Sequence, residues 1–138
     1  MEKNQIKNKI SALCARKEMC TATAKTYLRK YKDLTDNDIK EIINFLIAEK
    51  YIDEVRYANA FVNDSYKYNK WGKYKIIHAL RAQNIPETII SSAISTIDEE
   101  LYNEIKANLA ENKRNSLKDE DNFIKEQKVE AFLSSRGF

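Results

Sequence analysis

The sequence predicts an all-helical protein built from tandem three-helix repeats, the last of which is incomplete. Its 138 residues include only two Gly and one Pro, too few for the turns of a hairpin-rich β fold. Apolar residues recur at the helical spacing i, i+3, i+4, i+7, i+8. The helical pattern itself returns after about fifty residues, which is the mark of a repeat architecture.

Five apolar stripes mark helices along the chain. They comprise Ile6, Ile10, Leu13 and Cys14; Ile39, Ile42, Ile43, Leu46 and Ile47; Ile89, Ile90, Ala93, Ile94 and Ile97; Leu101, Ile105 and Leu109; and Ile124, Val129, Phe132 and Leu133. The second and third stripes share the same spacing, so we expect equivalent core-facing helices there.

Helix boundaries are indicated by capping residues. Thr35 is a predicted N-cap with Asp38 at position N3. The acidic pair 53–54 favours a helix N-terminus, and Pro86 is expected at position N1 of another helix. Trp71-Gly72 is expected to separate two helices.

Each repeat is predicted to contain a long helix, a short helix, a turn and a medium helix. Shifts of 51 and 53 residues superpose neighbouring units and align Asp33, Asn84 and Gly137. These residue types tolerate the left-handed backbone that ends many helices. All three are therefore expected to adopt it.

The predicted repeats span residues 1–52, 53–97 and 98–138. The third has a long helix near 98–114 and a short helix near 121–136, and stops at Phe138, where a closing helix should begin. Either the sequence is truncated or the last helix was lost; because a repeat without its cap exposes apolar surface, we expect truncation.

Net charge is distributed unevenly: residues 1–50 carry +4, residues 51–86 carry +3 and residues 87–138 carry −4. A basic front favours a polyanionic partner, or a protein already bound to one. No apolar run is long enough to span a membrane, and no signal peptide is visible, which predicts a cytoplasmic protein without membrane contact.

The chemistry-bearing residues do not form a catalytic or metal-binding pattern. Cys14 and Cys20 are predicted to be reduced, part-buried thiols because their spacing fits neither a zinc clip nor a redox pair. His78 has no companions for a catalytic triad, residues 72–74 lack the rest of a phosphate loop, and the acidic run 98–100 is expected to begin a helix. We therefore predict no enzyme activity, metal or cofactor.

The stretch Ser65–Pro86 contains five bases and no acid, and aromatic residues are interleaved with the bases. Lysines attract phosphate, and aromatic faces stack on bases or fill protein pockets. Two interpretations remain open, a binding surface or a solvated face with Trp71 packed between helices. The candidate contact residues are Lys67, Lys70, Trp71, Lys73, Lys75, Arg81 and Arg56. A secondary basic cluster comprises Arg16, Lys17, Lys25, Arg29, Lys30 and Lys32.

Four short segments resemble the RecX family of regulatory proteins in order and spacing. Tyr51–Val62 is similar to its acidic, Arg and aromatic signature; Trp71–Ile76 resembles the Gly with flanking bases that follows; Asn84-Ile85 stands where a Gly-Ile turn is usual; and Phe132–Phe138 resembles the C-terminal Leu, Arg-Gly-Phe element. The resemblance covers residues 51–138 most clearly. Within it, Arg56 either pairs with a carboxylate or faces a partner.

The resemblance implies tandem three-helix repeats in an elongated curved array. It also implies a non-enzymatic regulator that binds RecA filaments on single-stranded DNA and inhibits RecA by blocking filament growth or promoting loss. A repeat array needs no partner subunit, which predicts a monomer. The alternatives are a general nucleic-acid-binding helical module without a RecA partner, and a helical scaffold for an unrelated protein.

Overall fold

The computed structural model describes residues 1–138 as eight α-helices without a β-strand. They are α1 (Lys3–Arg16), α2 (Thr21–Leu28), α3 (Asp36–Ala48), α4 (Glu54–Lys67), α5 (Lys73–Ala82), α6 (Glu87–Ile94), α7 (Glu99–Ser116) and α8 (Asn122–Ser135). The predicted all-α class is confirmed. None of the helices combines the length and apolar character needed to cross a membrane.

Two apolar cores organise the chain. The first core is formed by α1, α2, α3 and Ile52, which lies between α3 and α4. Its buried residues are Ile6, Ile10, Cys14, Ala24, Leu28, Ile39, Ile42, Ile43, Leu46 and Ile52. The second is built mainly from α4, α5, α6 and α7: Cys20, Ala58, Val62, Tyr66, Ile76, Leu80, Ile85, Ile90, Ala93, Ile97, Tyr102 and Ile105. Cys20, directly before α2, belongs to the second core and so joins the two.

Side-chain caps fix several helix N-termini. The Thr35 hydroxyl accepts the N–H of Asp38 at 3.0 Å, and the Asp38 carboxylate accepts the N–H of Thr35 at 3.1 Å, which confirms the predicted capping box. Asp53 caps α4 by accepting the N–H of Arg56 at 3.0 Å. The position predicted for Pro86 is wrong by one residue. Its extended ψ of 144° and its carbonyl, which accepts the Ile90 N–H at 3.0 Å, make it the N-cap of α6.

The predicted left-handed turns occur at two of three positions. Asn84 has φ 59° and Gly137 has φ 95°, and the N–H two residues past each helix end bonds back to the last turn. The prediction for Asp33 is wrong. After α2 the cap residue Arg29 stays right-handed, and successive turn bonds carry the chain to Leu34. Lys50 and Lys70 are left-handed instead, at φ 61° and 58°.

The last helix has the predicted bounds but departs from its predicted burial. Val129 is 3% exposed, whereas Ile124, which we placed in the same apolar stripe, is 43% exposed. Helix α8 packs mainly on α7, and this packing buries Val129 but leaves much of the Ile124 side chain exposed. Its bounds agree with the predicted 121–136 to within one residue, although at 14 residues it is as long as α4 and not a short helix.

Candidate functional site

The stretch Ser65–Pro86 comprises the end of α4, a connection, α5 and the turn before α6. Ser65, Tyr66, Ile76 and Leu80 are buried and anchor it to the second core. The Tyr66 hydroxyl also accepts the N–H of Asp98 at 3.4 Å. Apolar packing therefore holds both helices, and residues 68–70 of the connection between them are exposed.

The aromatic residues of the stretch divide into two groups. Tyr66 is buried, and Trp71 packs edge-on against Phe61 with ring centroids 6.1 Å apart. Tyr68 and Tyr74, by contrast, are 75% and 76% exposed. These contacts agree with the interpretation in which Trp71 packs between helices. The exposed tyrosines are the aromatic faces open to a partner.

Two of the five bases in the stretch are paired with acids from outside it. The Lys73 ammonium pairs with Glu99 at the start of α7. Arg81 donates to both carboxylate oxygens of Glu87, at 2.6 Å and 3.2 Å. The bidentate bond raises the pKa of Arg81 and lowers the pKa of Glu87. The fold therefore places two acidic side chains against a stretch whose own sequence contains none.

Lys73 is also bound to the second core through Tyr102. Its backbone N–H donates to the Tyr102 hydroxyl at 2.9 Å, and its ammonium lies 4.8 Å from the centre of that ring. Burial is the main reason why the pKa of Tyr102 is raised. These contacts give Lys73 a role in joining α5 to α7.

Lys67, Lys70 and Lys75 have no carboxylate partner. The Lys70 ammonium donates to the Lys67 carbonyl at 2.8 Å, and the Lys75 ammonium lies 4.5 Å from the centre of the Trp71 ring. Neither contact neutralises a charge. These three lysines are the bases of the stretch that keep uncompensated positive charge.

The connection between α4 and α5 is clamped by the last residues of the chain. The Gly72 N–H donates to the Arg136 carbonyl at 2.7 Å, and the Tyr74 N–H donates to the Gly137 carbonyl at 3.0 Å. A Cβ on Gly72 would lie 2.2 Å from the Gly137 carbonyl carbon. No side chain fits at this contact, so position 72 requires glycine for close approach rather than for an unusual φ.

Arg136 is a base at this site that was absent from our predicted contacts. Its guanidinium donates to the Asn69 carbonyl at 3.0 Å and lies 5.8 Å from the centre of the Phe132 ring. The Arg-Gly-Phe motif could have drawn attention to it. We define the junction surface as Lys67, Tyr68, Lys70, Tyr74, Lys75 and Arg136.

Arg56 lies elsewhere and already has structural partners. Its Nε donates to Glu18 Oε1 at 2.5 Å, and its terminal nitrogen donates to the carbonyls of Lys50 and Tyr51 at 3.1 Å and 3.3 Å. It thus ties the start of α4 to the segments after α1 and α3. Of the two roles considered for Arg56, carboxylate pairing is the one present.

The secondary basic cluster surrounds α2 and is exposed along its length: Arg16, Lys17, Lys25, Arg29, Lys30 and Lys32. None of its members forms an ion pair. Lys25 and Arg29 line two shallow grooves. The α2–α3 groove has a volume of about 470 Å³, and the α2–turn groove, which reaches Gln83 and Asn84, about 520 Å³.

The residues considered for catalysis are dispersed. His78 is exposed on α5, and Asp98 caps α7 by accepting the Leu101 N–H at 3.1 Å. No three His, Cys, Asp or Glu side chains are grouped so as to hold a metal ion. Cys14 and Cys20 are buried and unpaired, and burial raises the pKa of the Cys14 thiol.

Residues 53–94 match the family model described as RecX, second three-helix domain. Proteins named Regulatory protein RecX from Clostridium botulinum (strain Eklund 17B / Type B) and Clostridium perfringens (strain 13 / Type A) are each 32% identical over 109 residues, which cover 78% of this chain and 50% of theirs. The chain therefore spans about half the length of these relatives.

Two solved structures share the fold. A crystal structure of regulatory protein RecX superposes with a TM-score of 0.88 at 20% identity, covering 99% of this chain and 66% of that one. The structure of RecX from Lactobacillus salivarius gives 0.85 at 24% identity, with 99% and 88% covered. These likenesses confirm the predicted arrangement of three-helix repeats.

Proposed function

This chain belongs to the RecX family, and from that premise we propose that it binds RecA filaments on single-stranded DNA and inhibits the recombinase and its ATPase. Inhibition would follow from blocked filament growth or from promoted disassembly. We further propose that it acts as a non-enzymatic monomer in the cytoplasm. The relatives are named as regulatory proteins, which supports a binding role.

The observation that carries this proposal is the uncompensated charge of the junction surface. Lys67, Lys70 and Lys75 lack carboxylate partners, while Tyr68 and Tyr74 beside them are three-quarters exposed. A filament on DNA presents phosphate, so such a surface would accelerate encounter by electrostatic steering. The exposed rings would supply contact area with little loss of side-chain entropy.

The other predicted contact residues would act through shape. Trp71 fills the space beside Phe61, Lys73 joins α5 to α7, and Arg81 joins α5 to α6. We propose that they hold the junction surface in position and that the unpaired lysines meet the filament. All of these residues lie in residues 53–97, the second of the three predicted repeats, a division that remains our proposal.

Charge reversal tests this proposal directly. A triple Lys67→Glu, Lys70→Glu, Lys75→Glu variant would be added to RecA filaments on single-stranded DNA while ATPase rate and filament length are followed. The matched control reverses Lys106, Lys118 and Lys125, which also form no ion pair and lie on or between α7 and α8. We expect the first triple to lose inhibition and the control to keep it. Unchanged inhibition by both would refute the assignment of the surface.

A second candidate is general nucleic-acid binding without RecA. The α2–turn groove favours it because Lys25 and Arg29 face the side chains of Thr23, Thr26 and Gln83 with no acid among the lining residues. Such groups bind phosphate and sugar. This alternative predicts salt-steep binding to single-stranded DNA alone, with log affinity falling by about 0.7 per phosphate contact for each unit of log salt. Binding that requires RecA would exclude it.

A further inference from the structure

We propose that the α2–α3 groove docks an acidic amphipathic helix of a partner protein. This assignment goes beyond filament binding through the junction surface, and it rests on the groove alone. The groove is lined by Thr21 and Lys25 from α2, by its cap residue Arg29, and by Asp36, Ile39, Lys40, Ile43, Asn44 and Ile47 from α3.

The shape of the groove matches a helix. The lining residues of α3 run from Asp36 to Ile47 at spacings of one, three and four, so they occupy one face for about three turns, roughly 16 Å. Those of α2 recur every four residues, from Thr21 to Arg29. The α2 wall is therefore about 12 Å long. Walls of these lengths fit a helix of two to three turns that presents its own i, i+4, i+7 side chains.

The floor of the groove is aliphatic. Ile39 and Ile43 are at the edge of the first core, 8% and 4% exposed, and Ile47 is 48% exposed although it belongs to the same stripe. About half of Ile47 is exposed, and no aromatic ring lines the groove. Nucleotide bases would find no stacking partner there, whereas leucine or isoleucine side chains of a protein helix would bury apolar surface.

The rim selects acidic partners. Lys25, Arg29 and Lys40 are exposed and form no ion pair, and the single acid among the lining residues is Asp36. Each base can therefore meet a carboxylate on the flank of the docked helix without breaking an existing contact. A basic rim around an aliphatic floor is complementary to glutamates flanking leucines.

Residues of α3 distinguish this groove from its neighbour. Lys25 and Arg29 line both grooves, but Lys40 and Ile47 line only the α2–α3 groove. Substitutions at Lys40 and Ile47 therefore report on helix docking and leave the polar α2–turn groove intact. Thr26 lines only the other groove and provides the reciprocal control.

The test uses the full chain and a fluorescein-labelled helical peptide of about 18 residues, with leucines at i, i+4, i+7 and i+11 and glutamates on both flanks. Fluorescence anisotropy would give the affinity. We expect Ile47→Glu and Lys40→Glu each to weaken binding at least about tenfold, because the first puts a carboxylate on the aliphatic floor and the second puts one opposite the glutamates of the peptide. Ile124→Glu, at a similarly exposed isoleucine of α8, and Thr26→Ala should leave it unchanged. Circular dichroism would verify that every variant remains folded.

Several results would overturn the proposal. They are no binding of the acidic peptide, equal binding of a peptide with lysine in place of each glutamate, or unchanged binding by Ile47→Glu. If oligo(dT) displaced the peptide, and Lys40→Glu lowered the affinity for oligo(dT), the groove would be assigned to nucleic acid. If sedimentation showed that the wild-type protein is a dimer and that Ile47→Glu is a monomer, the groove would be assigned to a second copy of the chain.

Discussion

The backbones of Gly72 and Gly137 are in direct contact, so that a Cβ placed on Gly72 would lie 2.2 Å from the Gly137 carbonyl carbon. The two residues are 65 positions apart, one before α5 and one after α8. The flanking bonds, Gly72 N–H to Arg136 and Tyr74 N–H to Gly137, make the contact a clamp. The clamp sets where the junction surface stands relative to α8.

Substitution at either glycine should open the clamp. We expect Gly72→Ala to destabilise the protein by about 1–3 kcal/mol, the usual cost of forcing extra atoms into packed space. Gly137→Ala should cost at least as much, because its φ of 95° adds backbone strain and its Cβ would lie 2.4 Å from that of Lys75. Urea denaturation gives the free energy of unfolding. Ser134→Ala, at an exposed position of α8, is the control and should change it little.

Lys73 and Lys75 should behave differently although they are two residues apart. Lys73→Ala removes an ion pair with Glu99 and a contact with the Tyr102 ring, and is expected to lower stability by up to about 1 kcal/mol, since the pair is partly exposed. Lys75→Ala removes only the contact with the Trp71 ring and should mainly weaken filament binding. Parallel urea titrations and ATPase inhibition assays would separate the two. If Lys73→Ala and Lys75→Ala changed stability equally and inhibition equally, this division of roles would be contradicted.

Much of the fold could be predicted because helical period and capping chemistry are local. The stripe of α3 and the capping box at Thr35 are both present as expected. Burial at the edges could not be predicted in this way. Ile47 and Ile124 continue apolar stripes yet stay exposed, because exposure depends on whether another helix covers that face. The spacing of residues within one helix contains no information about its neighbours.

The site was less predictable for the same reason. The sequence between Ser65 and Pro86 contains no acid, but Glu99 and Glu87 pair with Lys73 and Arg81 across helix boundaries. The left-handed backbone of Lys70 had no signal either, since lysine does not favour that region. Which bases keep free charge is a property of tertiary contacts.

Asp38 should make stability depend on pH in the acid range. Hydrogen bonds from the backbone and hydroxyl of Thr35, followed by the Lys3 ammonium, lower the pKa of Asp38 below 3.8. A carboxyl whose folded pKa is depressed contributes stability above its unfolded pKa and loses it as pH falls through the folded one. We expect the stability advantage of wild type over Asp38→Asn to be full near neutral pH and to shrink below about pH 4. Urea midpoints measured at a series of pH values would follow it, and a constant difference would contradict the assignment.

Arg136 should contribute to filament binding through its positive charge. It should also contribute to the clamp through the planar donor geometry of its guanidinium. Its guanidinium reaches the Asn69 carbonyl at 3.0 Å beside the unpaired lysines. Arg136→Lys keeps the charge but loses the planar donor geometry, whereas Arg136→Gln loses the charge. If charge steers binding, Lys should retain most inhibition of RecA ATPase and Gln should lose several-fold in affinity, with a smaller salt dependence. Equal loss in both variants, matched by equal loss of stability in urea, would assign Arg136 to the clamp alone.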